Sequence, residues 1–481
     1  MSKNSVLPLE VLKLTFEYLT LSPASLVNCC LVNSVWSKVS LAVLWKNPLP
    51  QTEEASQKFI QYVYEHEVGD AHLDLVRVIG SRFFCDLYDE LYKFSNLQSL
   101  NFPRSPGECQ WDTTWRFPYL KRVAYVPIDF NCNGYDLLEH IFSQFPNLEG
   151  ISLCCSSLPS PPLLCRFPCN EKLVSVSILC HGYREWYKAG YGDAIVNEFV
   201  HAVWRKLNSR LRDFGLIFVR DIGYSDEDLD SYVKLWNFED APCSRLDSLE
   251  LNGVNLDDEA IEKLAHLISP TLQSRDISRC ANTSTQMPSL GSWQKLLRKV
   301  GKRLTALHLA DFPLPVQMPK IIADECEKLA ELTLITENMA ELETIYMFKK
   351  LGNTLEYIDI ECVDLSSTVL NTLFLHSKPR ELMLDAVEAR LDITKIDKAP
   401  PATFFERLEN LALNEFEIQG PLIAAVRDYG QCMARWMISD HPRLPTSMVE
   451  QVLEIKPKLE FYLCNPYEHL SGRENLLNRA R

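Results

Sequence analysis

Cys165, Cys169, Cys180 and His181, in the segments LCRFPC and ILCHG, are the residues of this sequence best suited to metal chemistry. Thiolates and imidazoles are the usual tetrahedral ligands of zinc, and these four lie within 17 residues. They lack a Cys-x-x-Cys knuckle, and Cys180 and His181 are adjacent, so on a strand their side chains would point to opposite sides and hinder joint ligation. Buried or loop cysteines are the structural alternative, and no cofactor is expected. No glycine-rich phosphate loop, nucleophile elbow or His-Glu-x-x-His motif occurs, and the 10 histidines are scattered. No catalytic residue is therefore assigned. A zinc-dependent enzyme using the Cys/His quartet is the one enzymatic alternative.

The segment REWYKAGY places Trp186 and Tyr187 beside Arg184, a mixture enriched in interaction hot spots. The same residues could stack on nucleic-acid bases, or pack an insertion against its own domain. Trp111 and Trp115, in GECQWDTTWRF, raise the same choice.

The 481 residues carry 49 basic and 64 acidic side chains, a formal net charge of -15. That balance argues against general attraction to nucleic acid or anionic membranes and favours basic partners. No apolar run reaches the length of a membrane span, and Glu10, Lys13 and Glu17 interrupt the N-terminal apolar stretch before it could serve as a signal-peptide core. A cytoplasmic or nuclear location follows as the expectation, and there the 16 cysteines are expected as buried thiols.

LPLEVLKLTFEYL carries, at Pro8, a proline suited to a first helical turn, and Leu9, Leu12, Phe16 and Leu19 line one face. Val11, Leu14 and Tyr18 lie off that stripe, so the helix is apolar beyond what a small amphipathic domain needs. SPASLVNCCLV and NSVWSKVSLAVLW predict two more short helices, with Ser22 and Asn33 or Ser34 as caps. Three such helices bury little surface by themselves, which predicts a covering partner.

This stretch resembles an F-box, matching at Leu7, Pro8, Glu10, Leu12, Leu19, Leu26, Val32, Trp36, Leu44 and Trp45. The resemblance implies docking on a Skp-type adaptor, and through it a cullin, with Leu7, Pro8, Val11, Leu12, Leu19, Leu26, Val32 and Trp36 as adaptor-binding residues. An N-terminal helical cap for the following repeats is the alternative.

After the F-box (1–48) and a linker helix (49–70), segments of the form Leu-x-x-apolar-x-apolar run through 71–481, with about 15 starts from Leu73 to Leu459. Nine of the fourteen steps between starts are 23 to 26 residues, the leucine-rich-repeat period. A glycine or proline often precedes the lead leucine, as in GKRL and GNTL, marking a turn out of the preceding helix. The fold predicted is α/β: a short three-helix F-box, then a leucine-rich-repeat solenoid with a curved parallel sheet on its concave side and helices on its convex side. Long inserts fall near 181–210 and 222–243. Arg275 occupies an inward apolar position, so either its stem passes the core or that repeat is displaced by a residue.

Strand alternation sends the second, fourth and sixth positions inward and the third, fifth and seventh onto the concave face. There stand Glu250, Asp276, Glu331, Asp359, Glu361, Glu381 and Asp385, with His308 the only potential cation among them. They are the substrate-binding candidates of the repeats, as Arg184, Trp186 and Tyr187 are of the insert. By resemblance, an F-box joined to leucine-rich repeats implies a non-enzymatic substrate-recognition subunit of a Skp–cullin–F-box ubiquitin ligase. Its substrate would be a protein presenting a basic segment, with no nucleic acid or membrane involved. The alternative is a binding protein that recruits the adaptor without delivering a substrate.

Overall fold

Helical spacing of apolar residues, broken by Pro and Asn, produces α1 (Leu9–Tyr18), α2 (Pro23–Cys30) and α3 (Ser34–Lys46) in the computed structural model. It describes residues 9–18, 23–48, 53–103, 112, 114–128, 134–155, 170–180, 203–204, 206–207, 209–218, 233–234, 245–252, 254–268, 271–278, 288–310, 314–336, 338–362, 365–385, 395–396, 398–414, 417–418, 420–439 and 459–464. The chain divides into two compact units, Met1–Leu207 and Asn208–Arg481.

In the first unit, Leu12 and Phe16 of α1, Leu26 of α2 and Val43 of α3 close a small core, against which Cys29, Trp36, Val39 and Leu44 pack. Phe16 and Trp36 meet edge to face with ring centroids 5.3 Å apart, a geometry that aromatic quadrupoles favour. Asn33 has an extended backbone, and its side chain accepts from the Val35 and Trp36 amides at 3.0 and 2.9 Å, capping α3. Ser22, the cap expected for α2, lies outside the described residues, whereas Pro23 does open that helix.

Helix α4 (Glu53–Glu65) follows, and Val63 is fully buried. Trp45 lies 5.8 and 5.0 Å from the rings of Phe59 and Tyr62. The buried Lys93 ammonium donates to the Val63 carbonyl at 2.9 Å and pairs with Glu90 at 2.7 Å, which satisfies a charge that burial would otherwise penalise. The Arg77 amide donates to the Lys46 carbonyl at 2.9 Å, tying the end of α3 to the first strand.

Five parallel strands of this unit pair in chain order: β1 (Val78–Ile79), β2 (Ser99–Asn101), β3 (Arg122–Ile128), β4 (Gly150–Cys155) and β5 (Ser175–Cys180). Parallel pairing requires crossover connections, and helices Ser81–Phe84 and Gly134–Gln144 lie in those from β1 to β2 and from β3 to β4. The register shifts between Val123 and Val126, where Tyr125 takes a left-handed φ of 59°. A non-glycine residue there marks a strained β-bulge.

The second unit repeats the pattern with β6 (Asp213–Phe218), β7 (Ser248–Asn252), β8 (Ser274–Ser278), β9 (Ala306–Ala310), β10 (Glu331–Ile335), β11 (Tyr357–Glu361), β12 (Glu381–Asp385), β13 (Asn410–Asn414), β14 (Arg435–Ser439) and β15 (Glu460–Cys464). All pair in parallel, neighbour to neighbour along the chain. Between them come α7 (Asp258–Leu267), α8 (Leu290–Val300), α9 (Met318–Glu325), α10 (Glu341–Leu351), α11 (Ser367–His376) and α12 (Gly420–Tyr429), numbered after α5 (Ser81–Phe84) and α6 (Gly134–Gln144) of the first unit. Asp257, Ser289 and Ser366 cap α7, α8 and α11 through their side-chain oxygens. Alternation of buried and half-exposed residues along β7, β11 and β12 puts the fourth and sixth repeat positions in the core. A parallel sheet in chain order, with helices returning between strands, is the topology of a repeat solenoid.

Strands begin two residues after every predicted lead residue except the first and last. Leu73 starts a 3-10 turn, Leu73–Leu75, and the fully buried Val76 takes the lead position ahead of β1. At the other end Glu460 is the partner of Arg435, so the last repeat starts one residue earlier than Leu459. Arg275 is the partner of both Leu249 and Leu307, so its repeat is not displaced. The second position does not point inward: Gln273 and Thr305 are exposed. Here the chain is still turning, and the Gln273 carbonyl accepts from both the Thr305 and Ala306 amides at 2.7 and 3.2 Å. The same forked bond recurs at Thr305, Ala330, Glu356, Arg380 and Glu409.

Gly301 and Gly352, ahead of their lead leucines, have φ of -59° and -56°, so the turn itself does not need glycine. Space does. A Cβ on Gly301 would stand 2.5 Å from the Glu325 carbonyl oxygen at the end of α9, and one on Gly352 would strike the His376 oxygen at the end of α11. Glycine lets successive helix ends approach within one repeat spacing.

Candidate functional site

Two surfaces collect the side chains singled out by sequence, one in each unit. In the first, Leu7, Pro8 and Leu19 lie outside the described residues. Leu12 and Leu26 are internal core residues, and Trp36 is half-buried against them. Val11 and Val32 are exposed. They share the surface of α1–α3 with Leu9, Leu14, Val27, Leu31 and Val35, which the F-box pattern did not single out as adaptor-binding. Leu14 is 59% and Leu31 81% exposed. Leu9, expected on the core face of α1, is exposed as well, because the three-helix core is already closed by the residues one turn further along. Among the described residues, the three helices and the turn after α2 thus present seven large aliphatic side chains to solvent around a core of four buried residues. Exposed apolar residues in that number on so small a unit mark it for interaction.

In the second unit the outward positions of β7–β12 form three rows across the sheet. Glu250, Asp276, His308, Thr333 and Asp359 succeed one another as Cα partners in the middle row. Glu331, Tyr357 and Glu381 form the row on one side, and Glu361 and Asp385 stand in the row on the other. The side chain of Asp276 lies outside the described residues. His308 Nδ1 is 2.9 Å from Thr333 Oγ1, and its Nε2 is 3.9 Å from Glu331. The Tyr357 hydroxyl donates to the Asp359 carboxylate. Asn414 Nδ2 donates to Asp385 at 3.0 Å.

Burial pushes the Asp359 carboxyl up; His308 and the bond from Tyr357 oppose this, and Asp385 adds to it. Burial and then the Asp359 and Glu381 charges push the Tyr357 phenol up to about 12. Both shifts have one origin, negative charge gathered where little water reaches. Among the described side chains this surface gathers carboxylates, whose field favours cations. Thr333 and Tyr357 belong to this surface and are not among the residues that the sequence singled out in β7–β12, all of which are charged or His. Their third and fifth repeat positions were the signal that could have found them.

Arg184, Trp186 and Tyr187 lie outside the described residues, as do Cys165, Cys169 and His181. Cys180 is buried on β5, the Cα partner of Cys155. Among the described residues no group of three or more His, Cys, Asp or Glu could hold a metal ion. Among the same residues no helix is long and apolar enough to cross a membrane.

No family model matches the chain. No curated protein matches it either. Among solved structures the chain is similar to one in the crystal structure of the Rad7 and Elc1 complex in yeast, at 13% identity and a TM-score of 0.40, with 96% of this chain and 98% of that chain covered.

Proposed function

We propose that this chain is a substrate-recognition subunit of a Skp–cullin–F-box ubiquitin ligase. The three N-terminal helices dock a Skp-type adaptor, and the outward face of the repeat sheet receives a protein substrate through a basic segment. The observation that carries the proposal is the apolar surplus on α1–α3: the bundle closes its own core with Leu12, Phe16, Leu26 and Val43, yet leaves Leu9, Val11, Leu14, Val27, Leu31, Val32 and Val35 exposed. Such a helical unit gains by covering that surface with a partner. The acidic rows of β7–β12 supply the second half of the bridge, a field of one sign that steers a basic partner. The chain performs no bond chemistry in this scheme. It raises the effective concentration of substrate lysines beside a charged conjugating enzyme.

Co-purification with a Skp-type adaptor and a cullin tests the proposal. Capture of both, lost on replacing Leu14 and Leu31 by Asp, is the expected result. Capture of the adaptor without a cullin identifies a binding protein that delivers no substrate, and capture of neither refutes the assignment.

A further inference from the structure

On β11–β14 the outward rows of the second sheet change character. Beyond Asp359 the middle row continues through Met383, Ala412 and Met437, each the Cα partner of the next. Ala412 stands between the inward Leu411 and Leu413 and so points outward, yet it is only 8% exposed, while Met383 is half-buried and Met437 is 38% exposed. The small residue is the floor of an apolar slot, and the two methionines are its walls. Unbranched, polarizable methionines adapt their shape to an apolar group placed between them.

The polar residues around the slot say what fits it. Met383 has Asp359 as its Cα partner on β11 and Glu381 and Asp385 two residues away on its own strand, so carboxylates stand on three sides of that wall. Arg435, the cation among the outward residues of these four strands, stands beside the far wall, two residues from Met437. A cationic group is therefore favoured over β11 and β12 and disfavoured over β14. Asn410 and Asn414 flank Ala412 along β13, and side-chain amides carry both donors and acceptors, as a peptide backbone does. Four residues of strand set these two about 13 Å apart. That is hardly more than the roughly 10–12 Å width of a helix with its side chains, and the Asn side chains take up part of it, so an extended chain reaches Ala412 where a helix does not.

We propose that this face binds an extended peptide segment with two anchors, a basic residue over Asp359, Glu381 and Asp385 and an apolar residue in the slot between Met383 and Met437. The inference rests on reading the outward sheet face as the substrate-binding surface, and it narrows the substrate from a basic segment to one that pairs a basic with an apolar residue. The sheet sets their separation. Asp359 and Ala412 lie two strands apart, about 9.5 Å. A polyproline II chain rises about 3.1 Å per residue and returns every third side chain to one side, so the two anchors stand about three positions apart in the peptide. Charge alone would attract any cation; the slot adds an apolar contact that only part of the basic segments can make.

Saturation-transfer NMR with the full chain at low salt measures binding of Gly/Ser-spaced peptides that carry lysine and leucine about three positions apart, in either chain order. With the wild-type chain, exchange of the peptide leucine for serine should weaken binding about tenfold, as loss of one buried leucine predicts. In Met437→Ser, which removes a wall, and in Ala412→Leu, which fills the slot, the same exchange should matter less than about twofold, the mark of a coupled pair. Leu375→Ser, an equal apolar loss on the exposed side of α11, should keep the leucine preference, and circular dichroism verifies that each variant is folded. Equal, salt-sensitive binding of leucine and serine peptides to the wild-type chain overturns the slot and leaves the acidic face as receptor for a basic segment. Binding of none of the peptides overturns both readings. A leucine preference that persists in both slot variants places the apolar contact elsewhere and overturns the proposal, as does a dimer of this chain that Met437→Ser disperses, which would give the slot to a second copy.

Discussion

Replacing Leu14 and Leu31 together by Asp should abolish adaptor capture while leaving the helical unit folded. Full burial of a leucine side chain stabilises by roughly 1.5–3 kcal/mol. With Leu14 59% and Leu31 81% exposed, most of that is still to be gained on docking, about 1–2 kcal/mol for each. Asp removes the gain and adds the cost of desolvating an unpaired carboxylate against an apolar surface, a few kcal/mol more. The double variant should therefore lose roughly 4 kcal/mol or more of binding free energy, about a thousandfold in Kd. Its thermal midpoint should hardly move, because neither residue belongs to the core of Leu12, Phe16, Leu26 and Val43 and surface changes stay within about 0.5 kcal/mol. Leu12→Asp is the contrasting variant: it places a carboxylate inside that core and should unfold the three helices. Surface plasmon resonance with a purified Skp-type adaptor, paired with circular dichroism, reads both quantities. Unchanged affinity in a folded double variant refutes docking through this face.

Gly352→Ala should cost roughly 1–3 kcal/mol of stability, because its Cβ would strike the His376 and Phe348 carbonyl oxygens, whereas Gly420→Ala meets nothing within 4 Å and should be near neutral; urea titration compares them. Neutralising Asp359, Glu361 and Asp385 to Asn, Gln and Asn should weaken capture of a lysine-rich peptide mainly through its on-rate, and wild-type capture should fall as salt rises; salt-independent binding rules out the steering role. The Asp359 carboxyl sits above its usual value of 3.8 in the folded chain, so the folded state binds its proton more tightly than the unfolded state does. Its contribution to stability is complete below pH 3.8 and is lost as pH rises through the folded value, so Asp359→Asn should raise the thermal midpoint at neutral pH and flatten its dependence across that window. Burial pushes the Cys154 thiol up to about 11 and raises Cys155 and Cys180 further, so maleimide should label exposed Cys85 and Cys432 first and reach those three only on unfolding, as peptide mass mapping would register.

Sequence alone determined the repeating unit. A lead leucine followed at fixed distance by two alternating apolar residues, recurring at the leucine-rich-repeat period, reads as a short strand with one face buried, and strands such as Ser248–Asn252 and Tyr357–Glu361 begin where the pattern places them. Asn33 was readable as a helix start because a cap acts within three residues of itself. Tertiary structure decided whatever depends on residues a whole repeat apart. Val76 rather than Leu73 leads the first strand because Val78 must find Ser99 as its partner, and the last strand shifts by a residue because Glu460 must find Arg435. The glycines of GKRL and GNTL looked like turn formers, but their need is set by helix ends one repeat further on. On α1 the apolar surplus was legible while its division was not: burial of Leu12 and Phe16 beside an exposed Leu9 depends on where Leu26 and Val43 arrive from other helices. Periodicity is a property of a local stretch of chain, whereas register, close approach and charge pairing belong to pairs of residues that folding alone brings together.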